Sequence, residues 1–230
     1  MEIFLIRHGQ SSNNALVDST LRVEDPLLTA AGEQQAQYTA LHLAAGRHLH
    51  STVRHAARPV LDRLYCSAMI RAMQTARPIG EALGVRPEVW IDIHEIGGIF
   101  LDHGERKIGY SGQTRSQLAQ RFPGYVLPSQ LSEHGWWNRD FEETQQGYIR
   151  AAEVAQALRR RAAEDVRIGL VSHGDFLSAL LQALGDQLPG EGVYYEHRNT
   201  GITHIDLTPE RSRVRYLNRV DHLDEELLTY

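Results

Sequence analysis

Apolar residues along this chain come in short runs separated by polar turns, and two of the runs stop in the same way. Residues 3–6 are apolar and partly β-branched and end at Arg7-His8-Gly9, while residues 167–171 end at Ser172-His173-Gly174-Asp175. Runs of this length predict buried strands that give way to polar loops. Residues 61–65 and 89–93 predict two further strands, and 202–207 and 214–220 a closing pair before an acidic tail. Four helical stretches lie between them. Thr29 caps the first, over 31–43, with Glu33 in its first turn. Ser67 is expected to cap the second, which begins at Ala68, carries Arg71 in its first turns and is kinked or divided by Pro78 before Leu83. The third, 144–163, places Val154 and Leu158 on one side and Arg159, Arg160 and Arg161 at its end, where cations suit the helix dipole. The fourth covers 176–184. Residues 94–142 are rich in Gly, Pro and aromatics and predict only a short helix over 116–121.

Strands alternating with helices argue for an α/β fold, a three-layer α/β/α sandwich around a mostly parallel sheet. No repeat or linker-like tract breaks the chain, so one domain over 1–230 is expected, with 94–142 as a long lid insertion. Ligands in such sheets bind at the carboxyl ends of the strands. The junctions bearing His8 and His173 are therefore the first places to look for a site.

Composition narrows the partners. Hydrophobic content of 42% and charged content of 23% suit a soluble globular chain. A formal net charge of −5 gives no overall field for nucleic acid, so an anion site has to be a local cluster of cations. The single cysteine, Cys66, excludes an internal disulfide framework and, beside Leu64 and Tyr65, reads as a buried inert thiol. The opening run is too short for a signal peptide or a bilayer span, and no later run is long enough. The expectations are a cytoplasmic location, no membrane and no nucleic-acid partner, with a homodimer left open.

Arg7 and His8 follow one strand, Ser172-His173-Gly174 another, Asn14 lies six residues beyond His8, and Arg71 sits just past a third strand. Brought to one sheet edge, two histidines, two arginines and an asparagine would surround a tetrahedral anion with donors, and the glycines would let a ligand approach the backbone. The ordered motifs resemble those of the histidine phosphatase superfamily, also called phosphoglycerate mutase-like: Leu5-Ile6-Arg7-His8-Gly9-Gln10-Ser11-Ser12-Asn13-Asn14, Asp25-Pro26-Leu27-Leu28-Thr29 with Gly32 and Gln35-Ala36, Ser67-Ala68-Met69-Ile70-Arg71-Ala72-Met73-Gln74-Thr75-Ala76, and Val171-Ser172-His173-Gly174.

The resemblance implies a phosphomonoesterase that needs no metal or cofactor and acts on a small phosphorylated metabolite or another phosphomonoester. His8 would attack phosphorus through a neutral ring nitrogen, with its other nitrogen on a backbone acceptor. Arg7, Arg71, Asn14, His173 and Gly174 would hold the phosphoryl group, arginine being suited by its planar fork of donors. Glu95 falls where the family places its proton donor, and phosphate charge nearby would favour its protonated form. Asp92, Asp102 and Glu105 compete for that role. The flexible stretch Ile96-Gly97-Gly98 would admit substrate. Three features depart from the family pattern. Gln10 stands where glutamate is common, 96–112 is longer than the usual acid-bearing loop, and Asn199-Thr200-Gly201 lacks a usual serine and is given no catalytic role.

Twelve histidines raise the question of a metal. His48, His50 and His55 lack a carboxylate pattern and read as solvated loop residues, as do His94, His103 and His134. Trp136 and Trp137, with Asn138 and Arg139, could wall the leaving group or anchor a loop to the core. Lys107, Arg106 and Arg115 could touch an anionic substrate or simply be solvated. Three function classes follow: a phosphatase, a cofactor-dependent phosphoglycerate mutase, and a non-catalytic binder of phosphorylated ligands. The mutase pattern calls for Glu followed closely by Arg and Tyr-Gly. Here Glu95 is followed by Ile96-Gly97-Gly98, which favours the phosphatase.

Overall fold

The computed structural model describes residues 1–49, 59–190 and 192–230. Its secondary structure is β1 (Glu2–Arg7), α1 (Ala30–Ala44), β2 (Arg63–Cys66), α2 (Ile70–Leu83), β3 (Pro87–Val89), β4 (Phe100–Asp102), β5 (Lys107–Gly109), α3 (Arg115–Arg121), α4 (Thr144–Arg160), β6 (Arg167–Ser172), α5 (Gly174–Leu184), β7 (Ile202–Leu207) and β8 (Ser212–Arg219). Six strands form one sheet in the order β3-β2-β6-β1-β7-β8. β1 and β2 both run parallel to the central β6, and β3 parallel to β2, whereas β7 and β8 are antiparallel.

Alternation along β1 explains the layers. Phe4 and Ile6 point into a core shared with α1 and α2, and Ile3 and Leu5 into one shared with α4 and α5. All four are completely buried. A strand apolar on both faces must have helices on both, which gives the expected three-layer α/β/α arrangement. None of the described helices is long and apolar enough to cross a membrane. Cys66 is buried, and loss of solvent pushes its thiol pKa far up, as an inert thiol requires.

Several local expectations change. α2 begins at Ile70 with Met69 as its cap residue, and Ser67 stands just before it, its hydroxyl accepting from Met69 N at 3.3 Å and facing His173 Nε2 at 2.6 Å. The same helix runs unbroken through Pro78. Burial of Met73, Ala76 and Ile79 against the sheet holds it together where local propensity alone would break it. β3 stops at Val89, and Ile91–Ile93 form a 3-10 turn instead of continuing the strand. Arg150 of α4 fixes that turn by donating to the carbonyls of Asp92 (2.7 Å) and His94 (3.0 Å). Within 94–142 the antiparallel pair β4–β5 was not foreseen.

His48 is buried rather than solvated, with its ring edge-on to Phe4, whereas His50 and His55 lie outside the described residues. His94 is buried too, packed between Trp136 and Trp137 with ring centroids 5.5 and 4.9 Å away. His103 and His134 are exposed, as expected. The two tryptophans belong to the core cluster, so they anchor the loop. Gly98 makes this possible: with φ at 76°, it turns so that an added Cβ would lie 2.1 Å from the Trp137 ring. It is packed against an indole.

Gly9 also serves packing instead of ligand approach. An added Cβ there would lie 2.5 Å from the Gly32 carbonyl oxygen, and one on Gly32 would lie 2.1 Å from the Gln10 carbonyl oxygen. The loop after β1 thus rests directly on the first turn of α1. Gln10 N donates to Gln35 Oε1 (2.7 Å) and Thr29 Oγ1 to Gln10 Oε1 (2.8 Å), completing the joint. Gly32→Ala is expected to cost about 1–3 kcal/mol, the usual range for overpacking, read as a lower urea midpoint at unchanged slope.

Candidate active site

Parallel pairing of β1 with β6 sets Arg7 beside Ser172, so the next residue of each strand projects from the same sheet edge. The His8 and His173 rings meet there with centroids 4.9 Å apart. α2 brings Arg71 to the same edge from β2, the other neighbour of β6. The adjoining cavity, about 180 Å³, is lined by Arg7, His8, Asn14, Arg71 and Glu95 among others. Asn13, Arg22, Glu24 and Asp175 also border it. Asp92, Asp102 and Glu105 do not, nor do Trp136, Trp137, Arg106, Lys107 and Arg115. Arg115 is spent on the Pro128 carbonyl at 2.7 Å, and Lys107 lies 4.1 Å over the Phe141 ring.

The His8 ring is fixed at both nitrogens. Nδ1 lies 2.7 Å from the Gly9 carbonyl oxygen, and Arg71 Nε donates to Nε2 at 3.1 Å. A carbonyl can only accept and a guanidinium can only donate. The ring is therefore the neutral tautomer with hydrogen on Nδ1 and a lone pair on Nε2. Burial and the adjacent Arg71 and Arg7 charges push its pKa well below 6.5, against the opposing pull of the Gly9 carbonyl. His173 is likewise held well below 6.5 by burial and by Arg71. Its Nε2 faces Ser67, while Nδ1 is buried with no partner among the described residues.

The cations are also positioned. Arg7 donates through Nη1 to the His197 carbonyl at 2.5 Å, and its buried Nε has no partner among the described residues. Arg71 lies 3.8 Å from Asp25, whose Oδ1 also accepts from Ile70 N at 3.2 Å. Loss of solvent outweighs Arg71 at Asp25 and raises its pKa to about 6. Asn14 accepts at Oδ1 from the Ser11 backbone (3.0 Å) and hydroxyl (2.8 Å), which leaves its amide hydrogens for the cavity. Gly174 opens α5 beside Arg7, where an added Cβ would make ordinary contact with the Tyr194 hydroxyl and the guanidinium.

Glu95 sits half-buried opposite these donors. It accepts from Ile96 N (2.9 Å) and from Phe176 N (3.0 Å) and Asp175 N (3.4 Å) in the first turn of α5. Burial first, and then Asp175, raise its pKa to about 7, more than Arg71 and the amides lower it. A carboxyl that is part-protonated at neutral pH beside a lone-pair imidazole and two guanidiniums can move a proton within an anion site.

A family model described as histidine phosphatase superfamily (branch 1) matches residues 3–220. The chain belongs to the histidine phosphatase superfamily. Solved structures with the same fold include a phosphoserine phosphatase variant from Entamoeba histolytica in complex with phosphoserine, with 20% identity and TM-score 0.60 over 97% of this chain and 99% of that one. A mycobacterial glucosyl-3-phosphoglycerate phosphatase complexed with VO3 matches at 20% identity and TM-score 0.58, over 95% and 99% of the two chains. Bacillus stearothermophilus YhfR matches at 21% identity and TM-score 0.62, over 97% and 99%. A curated relative, PE-PGRS family protein PE_PGRS11 of Mycobacterium tuberculosis, is 38% identical over 101 residues, 44% of this chain and 15% of that protein.

Within this superfamily member, four residues named in the motifs support the site in ways that the motifs do not spell out. Thr75 Oγ1 accepts from Gly9 N at 3.0 Å and donates to the Arg71 carbonyl at 2.7 Å, coupling the two motifs. Asn199 Nδ2 donates to the His8 carbonyl at 3.1 Å, and Thr200 N to the Arg7 carbonyl at 3.1 Å. Asp25 backs Arg71. Asn199 and Thr200 were set aside for want of a serine, yet their backbone and amide groups carry the support.

The depressed imidazoles fix the pH dependence of stability. His8 and His173 have folded pKa values well below 6.5, and His48, His197 and His222 lie at about 3, 4 and 4. Below 6.5 the unfolded chain binds more protons than the folded one, so stability is full above that pH and falls as pH drops toward the folded values. Asp25 and Glu95, with raised pKa values, act in the opposite sense, but His42 and His94 are depressed as well, so two carboxyls stand against seven imidazoles. The urea midpoint is expected to fall between pH 7 and about pH 5, with a shallower fall in His48→Leu. The His8 and His173 ring nitrogens should show no titration near 6.5 by NMR.

Proposed function

We propose that the protein is a phosphomonoester hydrolase that works through a covalent phosphohistidine on His8. The observation that carries this reading is the bond from Arg71 Nε to His8 Nε2, which holds an unprotonated nitrogen at the floor of a cationic pocket. An entering phosphoryl group would take the Arg71 donors for its own oxygens and release the lone pair toward phosphorus. Arg7, Asn14, His173 and Gly174 complete the oxygen shell in this reading. Charge stabilisation of this kind is the main source of rate in phosphoryl transfer.

In the first step the Nε2–P bond forms as the P–O bond to the leaving group breaks, and Glu95 gives its proton to the departing alkoxide. In the second, Glu95 as carboxylate takes a proton from water, the water oxygen attacks phosphorus, and the N–P bond breaks to release phosphate and neutral His8. A pKa of about 7 lets one carboxyl serve both steps. Ile96, Gly98 and Phe100 supply the leaving-group side of the cavity, the part that 94–142 contributes. A space of about 180 Å³ suits a small phosphorylated metabolite.

The test is a panel of phosphomonoesters assayed with chelator, with phosphoglycerate interconversion followed alongside phosphate release. Phosphate release abolished in His8→Ala is expected; undiminished turnover in that variant, or interconversion far faster than release, would overturn the reading. Glu95→Gln should lower kcat for alkyl phosphates by about 10²–10⁴ and much less for p-nitrophenyl phosphate, whose leaving group needs no proton. Because the acid form of Glu95 is needed first, kcat/KM is expected to fall as pH rises through about 7, and this limb should vanish in Glu95→Gln.

A further inference from the structure

α1 packs against the segment that follows β8, and His42, Asp221 and His222 at that contact do not line the active-site cavity. Two imidazoles meet there. His42, in the last turn of α1, and His222 have ring centroids 5.1 Å apart, and Asp221 adjoins them. One nitrogen or oxygen from each of His42, His222 and Asp221 lies within 4.8 Å of the others.

The hydrogen bonds fix the tautomer of His222. Thr39 Oγ1 donates its only hydrogen to the Gln35 carbonyl at 2.8 Å, so toward His222 Nε2, 3.1 Å away, it can only accept. His222 Nε2 therefore carries the hydrogen, which Thr200 Oγ1 also faces at 3.3 Å. The lone pair is left on His222 Nδ1, which is buried with no partner among the described residues. His42 is 5% exposed, and its Nε2 is buried and equally without a partner. Buried polar nitrogens left unpaired cost free energy.

We propose that His42 Nε2, His222 Nδ1 and an Asp221 carboxylate oxygen form a binding site for a borderline divalent transition ion of the zinc type. Two imidazoles and a carboxylate are ordinary ligands for such an ion, with nitrogens at about 2.0–2.1 Å and a fourth position left to water. Tetrahedral geometry brings ligand atoms to about 3.4 Å from one another, a closure that side-chain rotation supplies. The Thr39 hydroxyl on His222 Nε2–H is the outer partner that fixes a ligating tautomer. Asp221 already accepts from Arg219 Nε at 2.7 Å and Nη2 at 2.5 Å, and its oxygens keep lone pairs for a metal. A second cluster, Glu2-His204-Asp206, offers a single imidazole and suits such an ion less well.

A bound ion would tie the segment after β8 to α1 and, through Thr200, to the backbone of Arg7 and His8. It would act on stability, apart from the proposed chemistry. The test is zinc titration of chelator-stripped, tag-free protein, with metal content by mass spectrometry, Co²⁺ absorption as a geometry readout, and the thermal midpoint against zinc concentration. One zinc per chain is expected, with intense tetrahedral Co²⁺ bands and a midpoint that rises with zinc. Affinity should fall on the order of 100-fold or more in His42→Ala and in Asp221→Asn, the latter at an exposed position where folding is not at stake. His8→Ala and Asp206→Asn should bind zinc as the parent does. Absence of binding below millimolar zinc, binding unchanged in Asp221→Asn, or binding lost in His8→Ala or Asp206→Asn would overturn the proposal.

Discussion

The contact from Arg71 Nε to His8 Nε2 constrains the whole of this site. A guanidinium can donate to an imidazole only if that nitrogen is bare, and it stays bare only because burial and neighbouring cations keep the ring neutral. The Gly9 carbonyl at Nδ1 then fixes the ring plane. Each partner needs its own support. Arg71 is held by Asp25 and by α2, and the His8 backbone by Ser172, Asn199 and Thr200. The sheet order follows the same demand. Only with β6 between β1 and β2 do His8, His173 and the start of α2 share one edge.

Burial acts on the two kinds of group in opposite directions, and the proposed chemistry uses both. It removes protons from His8 and His173 and keeps one on Glu95, whose pKa of about 7 persists although three amides point at its oxygens. The α5 amino terminus that supplies two of those amides also places Asp175 beside Glu95, a like charge that helps to hold the proton. A nitrogen base and a carboxylic acid can thus coexist in one small cavity at one pH.

The motif residues were legible in the sequence because each follows a strand or opens a helix, and strand ends are readable from apolar runs. Residues 3–6 and 167–171 stand out for that reason, and parallel pairing does the rest. What stayed hidden depends on contacts distant in sequence. Ser67 reads as a helix cap, and nothing local shows that its hydroxyl will also meet His173, 106 positions away. Pro78 reads as a break until the core packs around it. His94 and His48 read as loop residues because nothing local shows that two tryptophans or Phe4 will cover them. Gly9 reads as an opening for a ligand, yet it is where another backbone presses closest, and Gly98, which does border the cavity, is pressed as closely by an indole.

If the bare Nε2 of His8 is the nucleophile, the protein must carry phosphate on that nitrogen during turnover. Rapid quenching of the enzyme with a ³²P-labelled phosphomonoester, followed by peptide mapping under alkaline conditions, tests this directly. The account predicts one acid-labile, alkali-stable label per chain, on His8, decaying at a rate consistent with phosphate release and absent from His8→Ala. Turnover with no labelled intermediate under conditions that accumulate it, or a label on any residue other than His8, would contradict it.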